Sequence, residues 1–399
     1  MSNSIWWPVA LLAAPCFAGA THAGGGYDFT KLVDHAVDDF GPRTFTCASI
    51  NESGDVAFKG TRSAPDGLSS WDVIARVNRA GVMTILAEDP MKTQFQFFSS
   101  FVSINDSGEV SFTAFLSDDN IAIFRADGTS MTTIASTAGP FQSFGFDTSL
   151  NNAGEVAFTA QLDTGEQGLF SGTGGSVTTH YTSATPALVD GVMTDLAGGN
   201  FGRPSINNTN GEIAFWDRVD GPVPGEGVFA GRSGVFRTLG PTDRSYNGAG
   251  DRGDANNNDL GIGAFETSFF NDNDEFVTAI ATSNEGVLSI LADTLNGYGG
   301  FGFYAPAINN RGEVAFQGFL PDFTTDGIFT GPDPKKNAIL TSKQRLDGAR
   351  ILSASFNVGA EALNNSGEVV FIVDLADSTR IEGLRSVIYV ASPRKPRRP

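Results

Sequence analysis

Cysteine and histidine are scarce: the 399 residues hold two Cys and three His. Cys16 and His22 fall in an N-terminal stretch of its own character, which leaves Cys47, His35 and His180 for the body of the chain. One thiol forms no internal disulfide, so packing has to hold the fold, with Cys47 as a small buried apolar side chain. No zinc-type spacing, Gly-x-Ser-x-Gly elbow or phosphate loop occurs, which removes common routes to metal, nucleophilic and nucleotide chemistry. His35 and His180 lie on outer strands in the parse below and are expected half-exposed on the surface. Basic residues are also few, 26 Lys+Arg against 45 Asp+Glu, for a net charge of −19. Such an acidic body repels phosphate backbones and excludes a nucleic-acid partner. Lys and other strong helix formers are sparse while Gly reaches 48, so a helical bundle is excluded as well. What is abundant is Phe, at 33 residues, enough aromatic surface to build a core.

Residues 1–23 contain no Asp, Glu, Lys or Arg, and an apolar run spans 5–20. Small residues offer cleavage after Ala20 or Ala23, the pattern of a secretory signal peptide. The run is short for a membrane span, and no later stretch reaches that length, so no transmembrane segment is expected in the mature chain. The expected location is secreted or extracellular, with the periplasm or cell surface as variants. Residues 394–399 carry Arg394, Lys395, Arg397 and Arg398 and read as a basic, disordered tail. Residues 24–393 are expected to form one domain.

That domain is built on a repeat. Asn-x-x-Gly-x-x-small-Phe recurs at residues 51–58, 105–112, 151–158, 208–215, 258–265, 309–316 and 364–371, with the glycines 46 to 57 residues apart. An extended segment, strand A, runs into each Asn-x-x-Gly, which is a turn because Asn and Gly both tolerate positive φ. Strand B follows, with Val and Phe two apart on one face and the small residue on the other. A polar loop leads to strand C, as at 121–124, and a Gly- or Asn-rich turn leads to strand D, as at 82–86. Four short strands repeated at this spacing are a propeller blade. The seventh unit ends after a C-like strand at 387–390, whereas 29–33 reads as a D strand without companions. The expectation is an all-β, seven-bladed β-propeller with four-stranded blades, its ring closed by an N-terminal strand that completes the last blade and covers an open edge. A monomer is expected.

The seven copies resemble the bacterial extracellular tandem-repeat family defined by Asn-x-x-Gly-x-x-Ala-Phe, over residues 44–391. The resemblance implies a secreted or surface-displayed repeat protein and brings no shared activity or catalytic residues. Many members end in a Pro-Glu-Pro motif, an apolar span and a basic end. Here the basic end follows Pro393 without that span, so free secretion is expected.

Carboxylates remain as candidate chemistry. In a propeller the D–A and B–C loops share one face, around a channel mouth. The longest D–A loops, about 182–203 and 240–257, offer Asp190, Asp195, Phe201, Asp243, Tyr246 and Asp251 as ligand-binding residues, with aromatics and carboxylates suited to a glycan. Asp251, Asp254 and Asn256 place oxygen ligands as a calcium loop does, although no Glu lies twelve along. Calcium is the one cofactor the residues suggest. The repeated Asn is assigned to its turn. The function expected is a non-catalytic extracellular binding or scaffold module for a glycan or protein. The alternative is a secreted polysaccharide hydrolase or lyase, which needs paired carboxylates at the channel mouth with shifted pKa values.

Overall fold

The computed structural model describes residues 26–64, 69–197, 203–220, 225–240, 246–249, 255–302, 304–356 and 361–394, without the side chains of 146, 220, 246–249 and 356. The described residues form strands and turns only, in the arrangement of a β-propeller. The strands fall into seven sheets. The first consists of Thr46–Ile50, Val56–Ser63, Ser70–Val77 and Met83–Glu88, in positions A to D. The second and third follow the same antiparallel meander. In the last, Ala349–Phe356, Val369–Ala376 and Leu384–Pro393 are joined at the outer edge by Tyr27–Asp34, the first strand of the chain, with Phe29 opposite Ala391 and Val33 opposite Ile388.

The repeat is legible in the packing. The motif residues Phe58, Phe112, Phe158, Phe215, Phe265, Phe316 and Phe371 are all at most 1% exposed, so each sheet is covered on both faces. Strand C supplies a facing ring in most sheets: Phe124, Phe170, Phe229, Phe329 and Tyr389 stand opposite the motif Phe of their own sheets. All seven motif glycines have φ between 66° and 79°, which a side chain at that position would strain. Strand A carries register shifts between Thr46 and Ser49, Phe98 and Val102, and Phe144 and Thr148. These bulges re-aim the strand's middle residues.

Two expectations need correction. The segment 182–203 is not one long loop. Ala187–Val189 and Val192–Leu196 form a hairpin, and its first strand runs parallel to the outer strand Val235–Gly240 of the fourth sheet. Asp190 and Gly191, at φ 48° and 80°, make the hairpin turn. His35 and His180 are buried, not half-exposed. His180 Nδ1 accepts from the Ser233 N–H at 3.1 Å, a contact from the neighbouring sheet that covers an outer strand. Cys47 is buried and in no disulfide, as expected.

Candidate functional site: the axial channel

The A–B turns meet around the axis on what we term the turn face; the D–A and B–C loops form the opposite loop face. Six of the motif Asn residues serve two structures at once. The Oδ1 of each accepts the N–H four residues on, as Asp55 donates to Asn51 at 2.9 Å and Glu368 to Asn364 at 3.0 Å. The Nδ2 donates to the backbone oxygen of the next sheet's Asn: Asn51 to Asn105, Asn105 to Asn151, Asn258 to Asn309, Asn309 to Asn364 and Asn364 back to Asn51, at 2.9–3.2 Å. Aspartate could close the turn but not donate to the neighbour. Asn364→Asp would also place a second carboxylate against Glu368 Oε2, which Asn364 Nδ2 reaches at 2.9 Å. That substitution is expected to cost about 2–3 kcal/mol, measured as a lower urea midpoint. An unchanged midpoint would mean that the inter-sheet bond is dispensable.

The fourth copy differs from its sequence reading. Asn207, not Asn208, fills the motif position: its Oδ1 accepts from Glu212 at 3.2 Å, and its backbone oxygen accepts from Asn151 at 3.5 Å. The turn is one residue longer, and Asn208 takes the next place. At that place runs a second circle. The N–H of Glu52 donates to the Asp106 side chain, and the pattern continues through Asn152, Asn208, Asp259, Asn310 and Asn365 until Asn365 donates back to Glu52, all at 2.6–3.0 Å. Burial, with Asp106, Asp259 and Glu368 as neighbouring negative charges, pushes the Glu52 carboxyl up despite the N–H of Asn365.

Inside these circles is a cavity of about 110 Å³. An aliphatic collar of Ile50, Ile104, Leu150, Ile206, Ile308 and Leu363 lines it, and Glu361 enters its wall. Glu361 Oε1 accepts from Ser103 Oγ at 2.7 Å, whereas Oε2 is buried without a hydrogen-bond partner. Burial raises this carboxyl to about 8, against the pull of Ser103, the Ile104 N–H and Ser49 toward the charged form. Nearer the loop face, four sheets meet on Arg203. Its guanidinium lies 4.2 Å from the Phe101 ring centre and 5.1 Å from that of Tyr304, and Nε donates to Asp147 at 2.6 Å. Neither Glu361 nor Arg203 was singled out from sequence. The available signal was a charge on strand A: three residues before the motif Asn stand Ala48, Val102, Thr148, Pro204, Ala255, Pro306 and Glu361.

The sequence-predicted residues that are described, Asp190, Asp195 and Asn256, do not line this cavity. Asp190 lies at the hairpin turn and accepts the Thr238 N–H at 3.2 Å, against the outer strand of the fourth sheet. A second cavity touches it there, beside Glu285 and Gly286 of the next sheet. Asp195 is exposed on the same hairpin, paired with Asp220. Asn256 is buried and donates to Pro306 O at 2.8 Å, so its amide ties two sheets together. Phe201, Asp243, Asp251, Asp254, the Tyr246 side chain, residues 1–23 with the expected signal peptide, and tail residues 395–399 lie outside the described residues. Among the described residues no group of three or more His, Cys, Asp or Glu could hold a metal. No helix there is long and apolar enough to cross a membrane.

Among solved structures the chain is similar to acylaminoacyl peptidase from Pyrococcus horikoshii, at 9% identity and a TM-score of 0.43 over 84% of this chain and 49% of the peptidase. A puromycin-hydrolyzing peptidase of Mycobacterium tuberculosis gives 11% and 0.44 over 89% of this chain and 62% of that one. YCF48 bound to D1 peptide gives 10% and 0.41 over 94% and 97%. The chain thus spans about half to three-fifths of the two peptidases' length, and these likenesses say nothing of its activity. No curated protein matches its sequence. Residues 18–295, more than two thirds of the chain, match a family described as a family of unknown function, DUF7453, and the chain belongs to that family.

Proposed function

We propose that the chain is a secreted, non-catalytic β-propeller module of seven blades that binds or scaffolds through its loop face, its ligand a glycan or a protein. The apolar N-terminus with its small-residue cleavage points supports secretion. Seven sheets and a circle of seven side-chain-to-backbone bonds that returns to its start support seven blades. A six-bladed ring would leave one sheet outside that circle. The Asn-x-x-Gly turns that carry it support kinship with the extracellular tandem-repeat proteins.

The observation that carries the binding role is where exposed aromatics stand. Phe97, Phe270, Phe276 and Phe323 are exposed, and all belong to the loop-face ends of their sheets. Phe270 and Phe276 pair across a B–C hairpin with ring centres 5.5 Å apart, and Phe97 stacks on Phe115 at 4.1 Å. Paired flat rings on an acidic rim offer stacking to a sugar or an apolar anchor to a protein. The rim carboxylates are engaged locally. Asp322 accepts from the Thr325 hydroxyl, the Thr324 N–H and Lys343, and Asp118 from Asn120, which holds both below the usual carboxylate range. Such groups stay ionised and make poor general acids. The hydrolase reading draws on Glu361, which keeps its proton near neutrality, but the side chains acting on it are the hydroxyls of Ser103 and Ser49, not a second carboxylate.

A polysaccharide and protein-ligand array, with reducing-end release assayed on the same glycans, tests the proposal. Binding without release is expected, and Phe270→Ala with Phe276→Ala should weaken it at least tenfold with little change in melting temperature. Release of reducing ends, or undiminished binding by the double variant, would sink it.

A further inference from the structure

We propose that the turn-face cavity is a second binding site, for a primary alkylammonium group whose ammonium pairs with Glu361 and whose methylene stem lies in the aliphatic collar. It is separate from the loop-face site and does not depend on it. A carboxyl whose Oε2 is buried and unpartnered, beside a cavity, calls for a donor there. One carboxyl suits one positive charge. The aliphatic collar offers a metal ion no ligands, the Asn oxygens around the cavity accept backbone N–H groups in the turns and circles, and the described residues hold no His, Cys, Asp or Glu cluster that could bind one. A stem of methylenes, by contrast, is what Ile50, Ile104, Leu150, Ile206, Ile308 and Leu363 can hold out of water. The volume of about 110 Å³ has room for roughly four water-sized groups, the size of a short alkyl chain. At the mouth, Glu52, Asp106 and Asp259 put carboxylates on the circle an entering cation passes.

These three are the other ionisable residues lining the cavity, and the groups acting directly on Glu361 are the hydroxyls of Ser103 and Ser49 and the Ile104 N–H, all uncharged. Binding requires Glu361 ionised and the amine protonated. With the free carboxyl raised to about 8, affinity should climb about tenfold per pH unit up to that point. It should fall again only as an alkylamine loses its proton, near the lysine value of about 10.4.

The test is isothermal titration of the full mature chain with n-butylammonium chloride at pH 6, 7 and 8.5. n-Butanol and calcium chloride serve as controls, and a short lysine-bearing peptide as a second source of the same group. Saturable binding about 100-fold tighter at pH 8.5 than at pH 6 is expected, with at least 30-fold loss in Glu361→Gln, whose cooperative melt shows that it folds. The peptide arm separates a free-amine site, which only the small amine enters, from a lysine-docking site, which takes both; either outcome supports the proposal. Absent or pH-independent butylammonium binding, equal binding of n-butanol, a Glu361-dependent calcium response in place of the amine, or undiminished binding by Glu361→Gln would overturn it.

Discussion

Deleting residues 26–34 is expected to cost more than about 5 kcal/mol and to make the chain aggregate. The segment forms the outer strand of the last sheet, antiparallel from Tyr27 opposite Pro393 to Asp34 opposite Val387 with one register shift between Lys31 and Val33. It buries Phe29 and Val33, the former edge-to-face with Phe371 at 6.0 Å. Two such side chains contribute about 1.5–3 kcal/mol each. Asp34 is buried and lies 3.3 Å from Arg385 and 3.4 Å from Lys31, so its loss also strands a cation against the sheet. The larger consequence is exposure of residues 387–393 as an unpaired edge, apolar enough to template association. Light scattering and thermal melts of the shortened chain check this, and a synthetic peptide of residues 26–36 should suppress the association in trans. A shortened chain that melts like the parent would show that the first strand is an ornament on a ring already stable without it.

Much of this architecture is legible in the sequence because one motif carries two structural duties. The Asn-x-x-Gly turn announces itself by residue type, and the Val and Phe spaced two apart place the core face. The inter-sheet role of the same Asn is less visible, since it depends on a neighbour about fifty residues away. The fourth copy shows the limit. Asn207 and Asn208 are adjacent, and spacing to Gly211 favours Asn208, but the turn there has one residue more, and Asn208 is needed to receive the N–H of Asn152. The hairpin within 182–203 did have a signal, Asp190-Gly191 between Leu188-Val189 and Val192-Met193, which is the pattern of a primed turn. As part of one long loop the segment gives no hint that Asp190 lies against the outer strand Val235–Gly240. His180 illustrates a different loss. Its strand looks like an outer edge in isolation, and only the Ser233 turn of the next sheet covers it. Glu361 was recoverable by aligning repeats on the Asn, where it is the lone carboxylate in a column of small or apolar residues and prolines.

Replacing that carboxylate gives the other large expected effect, and its sign follows from proton uptake. Glu361 is raised to about 8 in the folded chain, against an ordinary glutamate value of about 4.3 when unfolded. Between those values the folded state holds a proton that the unfolded state has released, so folding takes up a proton and stability declines as pH rises. The decline begins near the unfolded value and is complete just above 8. At about 1.36 kcal/mol per pKa unit it amounts to about 5 kcal/mol at most. Gln at this position keeps the shape of the protonated acid and an oxygen for Ser103, but does not titrate. Glu361→Gln should therefore melt with the parent near pH 4.5 and about 6 °C above it at pH 8.5. His180, lowered to about 4 chiefly by burial and also by Arg232, acts in the opposite direction: its contribution is present above its unfolded value and is lost as pH falls toward 4. Both chains share that histidine, so it cancels in the difference between their melting curves, which isolates the carboxyl. n-Butylammonium at pH 8.5 should lift the parent toward the variant and leave the variant unmoved, since a ligand stabilises only the state that binds it. A melting difference that stays flat from pH 4.5 to 8.5 would show that Glu361 is already ionised and compensated in the folded chain, and would remove the unsatisfied carboxyl on which its role in the channel rests.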